Sequence, residues 1–540
     1  METASSGLAL VDYAIFGVYV AVIICVGLLV SRRNRQSTEG YFLAGKSLPW
    51  WAVGASLIAA NISAEQFIGM SGSGFSIGLG IASYEWASAL TLLLVGKFFL
   101  PIFIKQEIYT IPQFVEKRYN NTLKTILAVF WICLYIFVNL TSVLYLGGLA
   151  LQTILGVPMM YSIFGLALFA VVYSVYGGLS AVVWTDVIQV AVLVFGGMAT
   201  TIMAVSFIGG EEGLFGGFGA MYDAAPGHFE MILEKDNPQF MNLPGIAVLI
   251  GGMWIANAYY WGFNQYIIQR TFASKSVDEA QKGLIFAAFL KLIIPFIVVI
   301  PGIAAFVIIN DPELMAKLGD MATSHMPSDA HADYAYPWLT QFLPAGIKGV
   351  VFAALAAAIV SSLASMLNST ATIFTLDIYK QYVDKKASDA KLVNVGRATS
   401  LVAIVIACFV APLLGSIGQA FMYIQEYTGL VSPGILAVFM LGLFWKKTSA
   451  KGAIVGVLAS IPIALLLKFL PLEMPFLDQM FYTFILTCAT IIFVTLNTSE
   501  TDDDPNGIPL TKDVFATSSA FNIGAYAVLI ILAVLYSVFW

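Results

Sequence analysis

Apolar residues in this chain gather into long runs separated by short polar stretches. Fourteen runs can be marked, at roughly 8–30, 49–73, 78–104, 126–154, 159–176, 181–208, 245–263, 283–309, 349–376, 399–414, 421–444, 453–470, 480–496 and 523–539. Each approaches the ~20 residues that an α-helix needs to cross a bilayer. A membrane β-barrel would instead alternate apolar and polar residues in ~10-residue segments, and no such segments occur. The pattern therefore predicts an all-α polytopic membrane protein with 14 transmembrane helices. The run 8–30 follows Glu2, has no Lys or Arg before it and no A-x-A cleavage site after it, so it reads as a true helix and not as a signal peptide.

Composition strengthens this picture. Of the 540 residues, 59% are hydrophobic and 11% charged, and mean hydropathy is +0.86. Soluble domains carry about 25% charged residues. The net charge of −6 argues against a nucleic-acid partner, which selects basic proteins. Cys25, Cys133, Cys408 and Cys488 lie inside apolar runs without C-x-x-C spacing, which argues against a disulfide framework or a metal cluster. His228, His325 and His331 lie in two polar loops and read as solvated residues, so a histidine proton relay or metal site within the membrane is not expected.

Charge placement suggests an orientation. With the N-terminus outside, 21 of the 26 Lys and Arg residues fall on the inner side, Arg32, Arg33 and Arg35 among them. Lys235, Lys317, Lys348 and Lys468 fall outside, and Lys291 falls within a span. Cytoplasmic loops are the basic ones. The inner loop around Asp502, Asp503 and Asp504 is acidic, but acidic residues weigh little in this rule. No loop is long enough for a separate enzyme domain, and no ATP-binding motif is present.

Polar residues within the runs mark candidate chemistry. Glu65, Glu85, Asp186, Lys291 and Glu426 are charges at membrane depth, where each costs about 2.5–3.5 kcal/mol and points to function by default. Glu85 and Lys291 can pair. The stretch Ala59-Ala60-Asn61-Ile62-Ser63-Ala64-Glu65-Gln66 interrupts the second run, and Gly69, Gly72 and Gly74 follow it. A broken helix frees backbone carbonyls, tolerated in a membrane only under protein or beside water, and such carbonyls suit sodium. A kinked helix packing through small residues is the structural alternative. In the seventh run, Asn257, Tyr260 and Trp261 share a helix face; aromatic rings with an amide suit a sugar, although an interfacial aromatic belt would also use Tyr and Trp. Ser361 and Ser362 follow Ala358 by three and four residues and could complete a hard-cation site, or merely bond back to their own helix. Gln425 could bind substrate or join helices. Glu85 and Ser88, at i and i+3, share a face.

The two interrupted runs are the second and the seventh. Five spans separate their starts, so two five-helix blocks would insert in opposite senses. Broken helices in matching positions of inverted repeats point to a transporter with its site near the midplane.

Together, Trp50-Trp51-Ala52-Val53-Gly54-Ala55-Ser56 running on to Glu65-Gln66-Phe67, the run Tyr173-Ser174-Val175-Tyr176-Gly177-Gly178-Leu179-Ser180-Ala181, Gln269-Arg270-Thr271, and Ser361-Ser362 with Asn368-Ser369 give a sequence that resembles the sodium/solute symporter family, sugar-carrying members included. The resemblance spans essentially the whole chain. It implies a leucine-transporter-type fold, with an extra N-terminal helix (8–30), a first inverted repeat (49–208), a second (245–444) and three C-terminal helices (453–540). It implies a galactose or glucose site made by Gln66, Glu85, Ser88, Asn257, Lys291 and Gln425. Tyr260 would stack on the sugar as an inner gate, helped by Asn61 and Trp261, while Met70, Tyr84 and Phe421 would close the outer side. Sodium would take the carbonyls of Ala59, Ile62 and Ala358 and the hydroxyls of Ser361 and Ser362, with Asp186 near its exit route. Sodium would be co-transported, with no organic cofactor.

The expected function is sodium-coupled symport of a neutral sugar into the cell. Another polyol or small solute, proton coupling, and an uncoupled channel or membrane sensor are the competing readings. A carboxylate substrate would sit badly beside Glu85, and neutral oxygens at the serine pair favour sodium over protons.

Overall fold

The computed structural model describes residues 8–31, 37–108, 110–414, 420–470, 473–498 and 503–540. Arg32, Arg33, Arg35 and Asp502, used in the orientation argument, lie outside these residues. The described chain is helical throughout, and its one β-contact is an isolated bridge between Leu48 and Ser274. Among the described residues, 10 helices are long and apolar enough to cross a membrane, and Met159–Val172 and Ser432–Phe444 are shorter apolar helices.

Three of the expected runs are broken, and two others are joined. The run 49–73 is split into Trp50–Asn61, a π-helical turn Glu65–Met70, and Ser71–Ser76. Ile62 is extended (φ −77°, ψ 105°), and that one residue breaks the helix. The run 245–263 divides at Gly251, and the helix Gly252–Phe263 then ends at Asn264 (φ −90°, ψ 116°) before Gln265–Phe272 begins. The run 421–444, expected to be continuous, is broken between Ala420–Gly429 and Ser432–Phe444, with Pro433 in the first turn of the second piece. By contrast, 159–176 and 181–208 belong to one helical run, Met159–Gly209. It bends at Gly178, whose φ of 57° and ψ of −157° no side chain adopts comfortably.

Three further π-helical stretches occur: Val95–Phe99, Tyr135–Leu140 and Phe374–Val383. Such turns are rare and concentrate at functional sites.

Small residues set how close the broken segment lies to its neighbour. A Cβ on Gly74 would lie 2.6 Å from the carbonyl oxygen of Val299, and one on Gly302 would lie 2.0 Å from that of Ser71. Ser71–Ser76 and Val277–Asn310 therefore meet backbone to backbone, as membrane helices do through small residues. Val277–Asn310 starts at a Ser276 cap, whose hydroxyl accepts from Glu279 N at 3.2 Å, and continues through Pro295 and Pro301.

Some polar residues lie elsewhere than the sequence suggested. Arg118, Lys124 and Arg270, counted with the inner surface charges, are buried. Arg118 donates to the carbonyls of Gly442 (2.8 Å), Trp445 (3.2 Å), Lys446 (3.2 Å) and Thr448 (3.0 Å), capping the end of Ser432–Phe444. Glu426, expected at membrane depth, is half-exposed and pairs with Lys468 at 2.9 Å. His228 is not a solvated loop residue. Its ring stacks on Phe306 at 3.9 Å, and Nε2–H donates to Phe75 O at 3.0 Å. Burial lowers its pKa from the usual histidine value.

Candidate functional site

The break at Ile62 redirects backbone groups. In a continuous helix the Ser63 amide would bond the carbonyl of Ala59; here it donates to Gln66 Oε1 at 2.9 Å, joined there by the Ser63 hydroxyl at 3.1 Å. The Gln66 amide likewise turns away from Ile62 to the carbonyl of Ser63, at 3.2 Å. The carbonyls of Ala59 and Ile62 thus lose their helical donors, and Gln66 fastens the break that frees them.

The serine pair packs against this break. Ser362 Oγ donates to the carbonyl of Ala60 at 3.0 Å. Ser361 Oγ donates to Asp186 Oδ1 at 2.6 Å, and Ser56 Oγ donates to Asp186 Oδ2 at 2.5 Å. Ala358, Ser361 and Ser362 lie on the wholly buried central part of Ile347–Ile373. Hard oxygens, carbonyl and hydroxyl with one carboxylate close by, are the donor set that a small hard cation prefers. Sodium as cargo fits this set. Arg270 also reaches Asp186, at 3.4 Å, and donates to Ser56 Oγ at 2.6 Å and to Ser365 Oγ.

Beside the break lies a small cavity of about 60 Å³, tighter than the ~300–1,000 Å³ of sites that enclose a whole ligand. Gln66, Glu85, Ser88, Asn257 and Gln425 line it, as do Asn61, Tyr84, Tyr260 and Phe421. Five of the six expected substrate residues are therefore brought together. The sixth, Lys291, stands behind the wall. It is fully buried, its Nζ donates to both Glu85 Oε2 and Asn61 Oδ1, and it lies 5.1 Å over the ring of Trp261. The expected Glu85–Lys291 pair is thus formed. Ser88 Oγ donates to Asn257 Oδ1 at 2.6 Å, while Asn257 Nδ2 donates to Met253 O at 3.0 Å, so each group is held in one orientation.

The gate residues form two clusters. Asn61 Nδ2 donates to the Tyr260 hydroxyl at 3.0 Å, which also accepts from Tyr266 at 2.7 Å. Tyr84 and Phe421 meet edge to face at 5.2 Å. Trp261 packs on Tyr260 at 5.3 Å but is turned to Lys291, away from the cavity. Met70 is buried and is not part of the cavity wall. The sequence reading named no role for Ser56, Arg270, Thr428, Ser432 or Met480. The last three line the cavity; Thr428 and Ser432 flank a break that apolar Leu430-Val431 conceals in the sequence.

The family description "Sodium:solute symporter family" matches residues 41–460. A sodium/glucose cotransporter of Vibrio parahaemolyticus is 73% identical over all of both chains. A human sodium/myo-inositol cotransporter 2 is 34% identical over 90% of this chain and 76% of its own. A solved Na+-coupled sialic acid symporter in a substrate-bound outward-open state superposes with a TM-score of 0.78 at 24% identity, covering 91% of this chain and 98% of that one. A nucleobase-cation-symport-1 family transporter superposes at 0.51 with 14% identity, over 92% and 99% of the two chains, and so shares the fold. A broken helix beside a hydroxyl pair, a polar cavity and a matched family model agree: this multi-pass membrane protein is a transporter, not an enzyme, and belongs to the sodium:solute symporter family.

Proposed function

We propose that the protein carries a neutral sugar, galactose or glucose, into the cell with sodium by alternating access. The observation that supports this most directly is the cavity itself. Its hydrogen-bonding groups come from Gln66, Glu85, Ser88, Asn257 and Gln425, and Tyr260 forms part of its wall. Donors and acceptors in a ring, with one aromatic plane, match a hexose whose hydroxyls surround an apolar C–H face. The name of the Vibrio relative points the same way.

In this reading sodium enters from outside, takes the carbonyls of Ala59, Ile62 and Ala358 and the hydroxyls of Ser361 and Ser362, and holds the broken helix. Gln66 fastens that break and also faces the cavity, so it couples the two sites. Lys291 orients Glu85 for a sugar hydroxyl. Tyr84, Phe421 and Met70 close the outer side. The inner side opens when Tyr260 leaves Asn61. Asp186 then offers sodium a step toward the cytoplasm, beside Arg270.

The architecture proposed with it has fourteen crossings of the cell membrane, both termini outside, and inverted repeats at 49–208 and 245–444. The myo-inositol relative gives a second substrate reading, another neutral polyol.

The test is uptake of labelled galactose into proteoliposomes under an inward sodium gradient, against a choline gradient. Accumulation with sodium alone, lost in Gln425→Ala, is the expected result. Uptake without sodium would move the coupling ion to protons or to none. Failure to take up galactose, with competition by inositol at a sodium-stabilised protein, would leave the transporter and replace the sugar.

A further inference from the structure

Two carboxylates, Glu65 and Glu85, line the cavity, and a lysine behind its wall pairs with one of them. Lys291 pairs with Glu85, whereas no ion pair reaches Glu65 among the described residues. Glu65 lies in the π-helical turn Glu65–Met70, lines the same cavity and is 9% exposed. Its Oε1 accepts from Ser142 Oγ at 2.9 Å, which fixes the side chain, and its amide bonds Ser63 Oγ at 3.0 Å. Among the described residues no protein donor reaches Oε2. Tyr260, which lines the same cavity, is already bonded to Tyr266 and Asn61.

We infer that Glu65 is a further substrate-contacting residue, an acceptor that sets the charge selectivity of the cavity. This inference rests on the sugar reading given above. With Glu85 balanced by Lys291, Glu65 when ionised leaves the cavity one negative charge in excess. A substrate hydroxyl donating to Oε2 gives that oxygen a partner, and a substrate ammonium binds it more strongly, because charge-assisted hydrogen bonds are about twice as strong as neutral ones. A substrate carboxylate meets like charge across a short distance inside a dry site. The substrate class that follows is neutral hexoses together with protonated amino sugars, with uronic acids refused.

The experiment measures inhibition of labelled galactose uptake by three galactose derivatives: 2-deoxygalactose (neutral), galactosamine (cationic) and galacturonate (anionic). In the wild type, galactosamine is expected to compete at least as well as 2-deoxygalactose, and galacturonate at least tenfold more weakly. In Glu65→Gln, which keeps the Ser142 bond, galactosamine should lose about tenfold relative to 2-deoxygalactose. If that variant carries no galactose, the same ratio is read by displacement of bound galactose from the sodium-saturated protein in detergent. An unchanged ratio in Glu65→Gln, or galacturonate competing with the wild type as well as 2-deoxygalactose does, overturns the inference. A wild type that takes up no galactose overturns the sugar reading instead, and the two failures are distinct.

Discussion

Lys291 and Glu85 are a buried pair whose members are worth more together than apart. Removing one leaves an uncompensated charge at membrane depth, at a cost of about 3–5 kcal/mol. Lys291→Met and Glu85→Gln alone should each lower the thermal stability of the purified protein, and the double variant should recover much of that loss. A double variant as unstable as the sum of the singles would mean the two groups do not interact. Ser362 acts through its hydroxyl at the carbonyl of Ala60. Ser362→Ala should raise the sodium concentration for half-maximal uptake about tenfold, which corresponds to ~1.4 kcal/mol, and leave sugar affinity at saturating sodium nearly unchanged. Much at this scale was legible beforehand. Glu85, Lys291, Asn257, Gln425 and the serine pair stand out because polar residues inside apolar runs are costly, although each also has a packing explanation. Arg270 did not, since it lies near the end of a run and reads as one more inner charge. Only the fold shows its guanidinium turned inward onto Asp186.

Among the elements, the bend in Met159–Gly209 depends on Gly178. An added Cβ would meet the carbonyl of Tyr41 at 2.4 Å, on a backbone that L side chains avoid. Gly178→Ala should cost at least the ~1–3 kcal/mol of a strained backbone position, read as a lower melting temperature and lower yield. The loop that carries His228 has its own sensitivity. Because His228 is buried against Phe306, its folded pKa lies below the ~6.5 of the unfolded chain. The unfolded state then binds more protons just below pH 6.5, so stability rises with pH through that window and is fully present above it. Acidifying below 6.5 should reduce thermal stability, and His228→Gln should flatten that slope. The break at Ile62 was readable from four polar residues crowded into one span. The break between Ala420–Gly429 and Ser432–Phe444 was not, since nothing polar interrupts Leu430-Val431. The apolar pattern that finds a span is silent about its continuity.

For the whole molecule, coupling one sodium to one sugar sets a ceiling. A membrane potential of 100 mV contributes about 2.3 kcal/mol per charge, and a tenfold sodium gradient adds ~1.4 kcal/mol. Accumulation should therefore stop at a few hundredfold in proteoliposomes held at those values. A plateau tens of thousands fold high would require a second sodium.

The π-helical turns have a consequence for how this chain tolerates editing. Each holds one residue more than the α-helical turn it replaces. Deleting a single residue from Glu65–Met70 would let the segment relax into an ordinary helix, a mild change for the backbone. The helix on either side would keep its phase, because the turn takes up the extra residue locally, but the side chains within the turn would be re-aimed. Glu65 and Gln66 could not both keep facing the same wall as Asn61. Length variation at these turns is thus a route by which a carrier of this architecture keeps its fold while exchanging one cargo for another.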